Sequence, residues 1–315
     1  MVDTFFAMIK RALYIALALA SALLLALAFI HYHSDMPLEE LKARYTYPDS
    51  RFVEVQGMNV HYRRTGAGAP LLLLHGTGSS LHTWEGWTEE LRDSFELISL
   101  DLPAFGLTGP HPERDYSIPS YVRFLDGFVE AIGLDTFYLA GNSLGGLIAW
   151  EYCLSHPDKA RKLVLVCSAG WPRQQQLPLA LRLARMPVVK DIMKRVTPRP
   201  MFRKTLREVY YDDSKVTEGQ VSRYFELFLR PGNRQAYIDR VAQPQEAAPE
   251  RLARLNIPVL IQWGVHDKWI PFADARRFEE ILPNARLASY ENAGHVPMEE
   301  IPEQTAADAR GFLQH

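Results

Sequence analysis

Gly141-Asn142-Ser143-Leu144-Gly145 is the stretch of this chain whose residue types and spacing specify chemistry most directly. It spells G-x-S-x-G. Residues 136–140 before it are β-branched and aromatic, of strand type, and residues 146–152 after it are apolar, of helix type. A serine on a sharp strand-to-helix turn has its hydroxyl thrust clear of the sheet, the arrangement of a nucleophile elbow. Gly141 and Gly145 suit that turn because a side chain at either place would collide with the neighbouring strand or helix. The bland alternative is a structural Gly-rich turn, which the strand and helix on either side disfavour.

A serine hydroxyl is a poor nucleophile at neutral pH. It needs a base to take its proton, and the base needs an orienting acid. Asp267 lies in Gly264-Val265-His266-Asp267, just past a strand-like run that ends at Trp263. His295 lies in Ala293-Gly294-His295-Val296-Pro297, in the loop after a run ending near Tyr290. The order Ser, Asp, His is the one expected when all three sit at the carboxyl edge of an open α/β sheet. Asp101 is the rival acid; it precedes the serine and Leu102-Pro103, and is assigned a loop-organising role. His266 is the rival base, but its side chain should point away from that of its neighbour Asp267.

A tetrahedral oxyanion requires two donors. One is the backbone N–H of Leu144, at a helix N-terminus where the dipole also favours negative charge. The other is expected from His75-Gly76-Thr77-Gly78, and the N–H of Thr77 is the choice. Gly76 and Gly78 let this loop approach the elbow closely. His75 is expected to be structural, bonding loop carbonyls.

These side chains need a scaffold that brings distant segments to one edge. Strand-like runs occur at 51–56, 60–64, 71–74, 95–100, 136–140, 163–167, 258–263 and 285–290, the first two forming a hairpin about Gly57-Met58-Asn59. Helix-like runs at 84–92, 118–132, 144–155, 272–282 and 301–313 alternate with them. This predicts an α/β fold with a mostly parallel eight-stranded sheet and helices on both faces. The alternation fails over 169–255, where runs at 177–185, 188–196, 201–211, 221–230 and 234–241 predict an inserted helical cap. The cap's basic residues are read as a solvated face, because acidic residues follow closely. Its Leu177, Leu179, Leu181, Leu183, Met186, Met193, Met201, Phe202, Phe225 and Phe228 suggest an apolar pocket as well as packing between cap helices. The core is thus 51–168 with 256–315, and the cap 169–255.

The N-terminus is different in kind. Residues 12–30 contain no charge and as a helix span roughly 28 Å, close to the bilayer core. Lys10 and Arg11 precede them, so the positive-inside rule puts the bulk of the chain on the non-cytoplasmic side. Residues 1–30 are read as an uncleaved signal anchor; cleavage after Ala26-Leu27-Ala28 is the alternative. Residues 31–50 read as a polar linker. His31 and His33 within it lack a third metal ligand, and no metal is expected. The chain has 315 residues, 47% hydrophobic, with a formal charge of -2, which supplies no basic face for nucleic acid. Cys153 and Cys167 are too few for a disulfide framework and read as buried apolar residues.

His75-Gly76-Thr77-Gly78, Asp101-Leu102-Pro103-Ala104-Phe105-Gly106, Gly141-Asn142-Ser143-Leu144-Gly145-Gly146, Gly264-Val265-His266-Asp267 and Gly294-His295 together resemble the α/β-hydrolase family over about 51–315. The resemblance implies a triad of Ser143, Asp267 and His295, a helical cap over the site, and no cofactor. Serine at the elbow separates the chain from the branches that use aspartate there, the haloalkane dehalogenases and epoxide hydrolases. The motif order is similar to that of membrane-anchored monoacylglycerol lipases and of the carbon–carbon hydrolases of aromatic degradation. The expected function is cleavage of a carboxylic ester, with an apolar acyl or lipid-like substrate and the membrane as partners of the chain. A carbon–carbon bond hydrolase of dienoate-type ketones and a non-catalytic ligand-binding module are the two alternatives.

Overall fold

The computed structural model describes residues 2–171, 186, 191–192, 194–243 and 248–315. Its centre is an eight-stranded sheet with strand order β1-β2-β4-β3-β5-β6-β7-β8. The strands are β1 (Ser50–Val55), β2 (Met58–Gly66), β3 (Ala69–Leu74), β4 (Phe95–Leu100), β5 (Phe137–Asn142), β6 (Ala160–Val166), β7 (Val259–Gly264) and β8 (Ala285–Tyr290). Only β2 runs antiparallel to its neighbours; every other pairing is parallel.

A parallel sheet must have both faces covered, so its strands read as continuous apolar runs rather than alternating ones. β3 shows this. Leu72 and Leu74 point into the core that contains Leu125, Phe128, Ile148 and Trp150, whereas Leu71 and Leu73 point into the one that contains Trp87, Leu91, Ala309 and Leu313. β6 divides in the same way, with Leu163 and Leu165 on the first face and Val164 and Val166 on the second.

The helices among the described residues are α1 (Val2–Ile30), α2 (Leu38–Tyr45), α3 (Glu85–Leu91), α4 (Ile118–Ala131), α5 (Leu144–Ser155), α6 (Arg199–Val209), α7 (Glu218–Phe228), α8 (Asn233–Ala242), α9 (Phe272–Ile281), α10 (Pro297–Glu300) and α11 (Pro302–Gln314). α4, α5 and α9 lie on the first face, α3 and α11 on the second. α5 is buried from Leu144 to Cys153, which explains why it is apolar on every side. Of the expected cap helices, α6, α7 and α8 are present between β6 and β7. The one expected at 177–185 lies outside the described residues, as do 188–190 and 193 of the one expected at 188–196; of the rest of that run, 191–192 are helical and 194–195 form a turn that leads to the bridge residue Val196. The helix expected over 301–313 is α11, which starts at Pro302, a residue suited to a first turn because its missing donor would have no partner there; the short α10 before it was not expected.

Residues 31–50 correct the expectation of a polar linker. Leu38, Leu41 and Tyr45 recur at helical spacing among charged residues, and the helix they define packs on the body: Leu41 is buried with Leu107 and Leu227. Arg44 and Tyr45 bond Glu226 of α7. Residues 31–36 are also fixed, to the cap. Tyr32 forms an antiparallel bridge with Val196. The His33 N–H donates to Arg195 O (3.0 Å), Thr197 N–H to His31 O (2.8 Å) and Met36 N–H to Leu229 O (2.9 Å). His33 is half-buried and packs edge-on against Phe225. Upstream, Met8–Ile30 within α1 is long and apolar enough to cross a membrane, with mean hydropathy 2.6 and none of its window buried against the body.

Candidate active site

The sheet carries the sequence-derived residues to one edge. Ser143 follows β5, Asp267 follows β7, His295 follows β8, and the Gly76–Thr77 loop follows β3.

Ser143 has φ 54° and ψ −114°, a left-handed backbone that L-residues avoid and that costs on the order of 1–3 kcal/mol. Surrounding bonds offset that strain. The Ser143 N–H donates to Val166 O (3.1 Å), and its carbonyl accepts from Leu147 N (3.1 Å) and Ala169 N (3.0 Å). The flanking glycines are required by space. A Cβ on Gly145 would sit 2.3 Å from Leu74 O, and one on Gly141 2.3 Å from Gly145 O. One on Gly76 would meet Asn142 Oδ1 at 2.8 Å, so the Gly76–Gly78 loop lies directly against the elbow. Gly78, with φ +76°, turns that loop.

Asp267 and His295 meet. His295 Nδ1 is 2.7 Å from Asp267 Oδ2. The other carboxylate oxygen accepts from the amides of Trp269 (2.7 Å) and Ile270 (2.8 Å). A carboxylate in that position only accepts, so Nδ1 carries a proton and the tautomer of the neutral ring has its lone pair on Nε2. Both side chains are buried. His295 is anchored by its own N–H, which donates to Val209 O (2.7 Å), and by its carbonyl, which accepts from Asn142 Nδ2 (3.0 Å). Asn142 thereby ties the elbow to the His295 loop.

Ser143 and His295 line one pocket with Gly76, Thr77 and Trp269. It encloses about 800 Å³ of atom-free space, part of it open to solvent. Its remaining walls come largely from the cap: Met201, Phe202, Leu206 and Val209 of α6, Tyr224 and Phe228 of α7, and Tyr237 of α8. The Leu144 amide opens α5, and the first amides of a helix have no acceptor within it. Thr77 borders the same space.

The other sequence expectations resolve clearly. His75 Nε2 accepts from Leu102 N (2.9 Å), so Nδ1 carries the proton and faces Gly76 O at 2.8 Å. Burial lowers its pKa, and it is a neutral structural ring. Asp101 is fully buried and accepts from Leu81 N, Leu107 N and His61 Nδ1. Burial alone would raise its pKa; the charge and hydrogen bond of His61 overcome this and hold it at about 2. His266 stacks on Tyr211 at 4.0 Å, away from Asp267. Cys153 and Cys167 are both buried. Cys167 is more than a space-filler, however: it adopts φ 43°, and its thiol, an Asp267 oxygen and a His295 ring nitrogen lie within 4.8 Å of one another. That trio is a poor metal site. The carboxylate and imidazole are engaged with each other, and burial pushes the thiol pKa well up, favouring the protonated form that does not ligate.

Two carboxylates were missed. Glu300 accepts from Gly294 N (2.8 Å), Asp212 N (2.7 Å) and Tyr211 N (3.1 Å), joining the loop of the base to the end of α6. Glu299 accepts from Tyr210 (2.8 Å), Tyr224 (3.0 Å) and Thr83, and burial raises its pKa. Adjacent acids before a helix look like surface charge; the only hint was their place directly after His295-Val296-Pro297-Met298.

Comparison with known proteins agrees with this geometry. A family model described as the alpha/beta hydrolase fold matches residues 69–302. An uncharacterized hydrolase of Bacillus subtilis, YugF, is 29% identical over 271 residues, covering 85% of this chain and 98% of that one. The 2-hydroxy-6-oxo-2,4-heptadienoate hydrolase of Pseudomonas putida is 26% identical over 255 residues, covering 78% of this chain and 89% of that one. Among solved structures, a membrane phospholipase A described as a bacterial virulence factor superposes with TM-score 0.70 at 24% identity, covering 96% of each chain; that likeness is one of fold. The matched region runs from β3 to the start of α11, taking in the elbow, the Asp267 turn and the His295 loop, and this chain belongs to the α/β-hydrolase family.

Proposed function

We propose that the protein is a serine hydrolase of carboxylic esters with an apolar or lipid-like acyl part, held at a membrane by α1 with its hydrolase domain on the non-cytoplasmic side. The observation that carries this reading is the 2.7 Å bond between Asp267 and His295 Nδ1, made by a ring that lines the same pocket as Ser143. Ser143 Oγ attacks the ester carbonyl carbon and its proton passes to His295 Nε2. Asp267 holds the tautomer and stabilises the imidazolium. The Leu144 and Thr77 amides face the oxyanion. The tetrahedral species expels the alcohol, which takes the proton from His295, and leaves an acyl-serine. Water, deprotonated by His295, then attacks the acyl carbon, and the acid departs with Ser143 restored.

The P. putida relative, by its name, acts on a dienoate, and this supports carbon–carbon bond hydrolysis as the second reading. A dienoate brings a carboxylate that calls for a cation. The described residues lining the pocket include no Lys or Arg, which favours the ester. The test is labelling by a fluorophosphonate together with turnover of p-nitrophenyl butyrate against a dienoate ketone. Ser143→Ala is expected to lose the label and ~10⁴-fold or more in kcat. Unchanged turnover in that variant refutes the assignment, and turnover of the dienoate alone selects the second reading.

A further inference from the structure

Outside α1, the large hydrophobic side chains left exposed among the described residues are Tyr32, Met186, Ile192 and Tyr211. Tyr211 is stacked on His266. Tyr32 and Ile192 lie close together in the fold. Tyr32 stands two residues beyond the end of α1, and its bridge partner Val196 is in the same short cap segment as Ile192. Arg195, exposed, accepts through its carbonyl from His33. The patch therefore lies where the apolar helix meets the cap, continuous with the surface that α1 itself presents.

We propose that the cap docks into the interfacial layer of the bilayer that α1 enters, with Tyr32, Ile192 and Arg195 at headgroup level. The geometry leaves little freedom. Two residues at ~3.5 Å each place Tyr32 no more than roughly 7 Å past the helix end, within the headgroup region of a bilayer. The antiparallel bridge then holds Val196 within about 5.5 Å of it, Cα to Cα. The strap cannot swing away from the cap while three backbone hydrogen bonds join residues 31–36 to Arg195, Thr197 and Leu229. Arg234 adds a fourth tie; its guanidinium is buried and donates to His33 O (2.7 Å) and to Asp35 (2.5 Å). The residue types match the site. Tyr is at home between water and hydrocarbon, Ile192 is apolar, and Arg195 offers charge to anionic headgroups.

A consequence for the substrate follows. The docked segment continues through Thr197 and Pro198 into α6, whose Met201 and Phe202 line the pocket. The wall of the pocket and the membrane contact are thus one piece of chain, and an ester dissolved in the bilayer meets the cap first. The inference rests on the reading of α1 as an anchor and is independent of the hydrolytic chemistry.

The test uses the full chain in vesicles of phosphatidylethanolamine and phosphatidylglycerol at 3:1. An environment-sensitive fluorophore is attached at Ile192→Cys or, separately, at Glu130→Cys. Glu130 is exposed near the end of α4, before β5 begins, and so on the edge of the sheet opposite the cap. The native Cys153 and Cys167 are buried. Flotation with the vesicles reports the anchor. The label at 192 should shift to the blue and be quenched several-fold more by nitroxides at headgroup depth than the label at 130. Protein that floats with both labels equally solvent-exposed overturns the docking and leaves the anchor standing. A blue shift at 192 without nitroxide quenching marks a protein partner and also overturns it. Protein that does not float removes the anchor, and the docking with it.

Discussion

Replacing Glu300 by glutamine tests whether the loop of the base is held by the cap. The buried carboxylate receives one amide from Gly294, beside His295, and two from Tyr211 and Asp212 at the end of α6. Glutamine matches its shape but has one oxygen and one NH₂. If the oxygen serves Tyr211 and Asp212, the NH₂ opposes the Gly294 N–H; if it serves Gly294, the NH₂ opposes Asp212. Either way a donor loses its acceptor, the buried Gly294 N–H in the first case and the half-buried Asp212 N–H in the second, which costs about 1–3 kcal/mol, and the bonds that survive lose the strength a charged acceptor gives them. The expected loss is ~2–4 kcal/mol, or about 3–7 °C in Tm for a domain of this size. Displacing the loop by a fraction of an ångström moves His295 Nε2, so kcat should fall ~10–100-fold. KM should change little, because Glu300 does not line the pocket. Differential scanning fluorimetry and p-nitrophenyl butyrate kinetics read both effects. A Tm within about 1 °C of the parent together with kcat within about twofold would refute the reasoning.

Gly145→Ala places a Cβ 2.3 Å from Leu74 O, where only backbone can yield; the variant should lose fluorophosphonate labelling, and labelling at the parental rate would contradict the packing argument. Native Cys167 should resist iodoacetamide at pH 8 until denaturant is added, since burial and the neighbouring Asp267 push its thiol pKa well up; rapid alkylation of the folded protein would count against this. Asp101 has a folded pKa of about 2, below its ordinary 3.8, so the stability it contributes is present above pH 3.8 and lost as pH falls through 2. That is ~2 kcal/mol, and Asp101→Asn should flatten this part of the curve of unfolding free energy against pH; an unchanged acid limb would dispose of the claim.

The sheet was legible because a buried parallel strand leaves an unambiguous trace, four to six apolar residues closed by glycine or a polar turn, as in Leu71-Leu72-Leu73-Leu74 followed by His75-Gly76. The elbow was legible because its glycines are steric requirements that no other residue meets. What escaped was the polar scaffolding. Glu300 works by accepting backbone amides from segments far away in sequence, and nothing in its own neighbourhood distinguishes it from solvated charge. Leu41 escaped because one buried leucine amid lysine, glutamate and arginine looks incidental until Leu107 and Leu227 are found against it. Asn142 occupies the variable position of its motif, where type carries no expectation, yet it bonds the carbonyl of the base.

The convergence of Ser143, Asp267 and His295 is tested most directly by a crystal structure of the protein inactivated with a fluorophosphonate. Phosphorus should be bonded to Ser143 Oγ, its free oxygen should accept from the amides of Leu144 and Thr77, and His295 Nε2 should stand within hydrogen-bond reach of an ester oxygen. A label on another residue, or a phosphonyl oxygen turned away from both amides with His295 out of reach, would contradict the account.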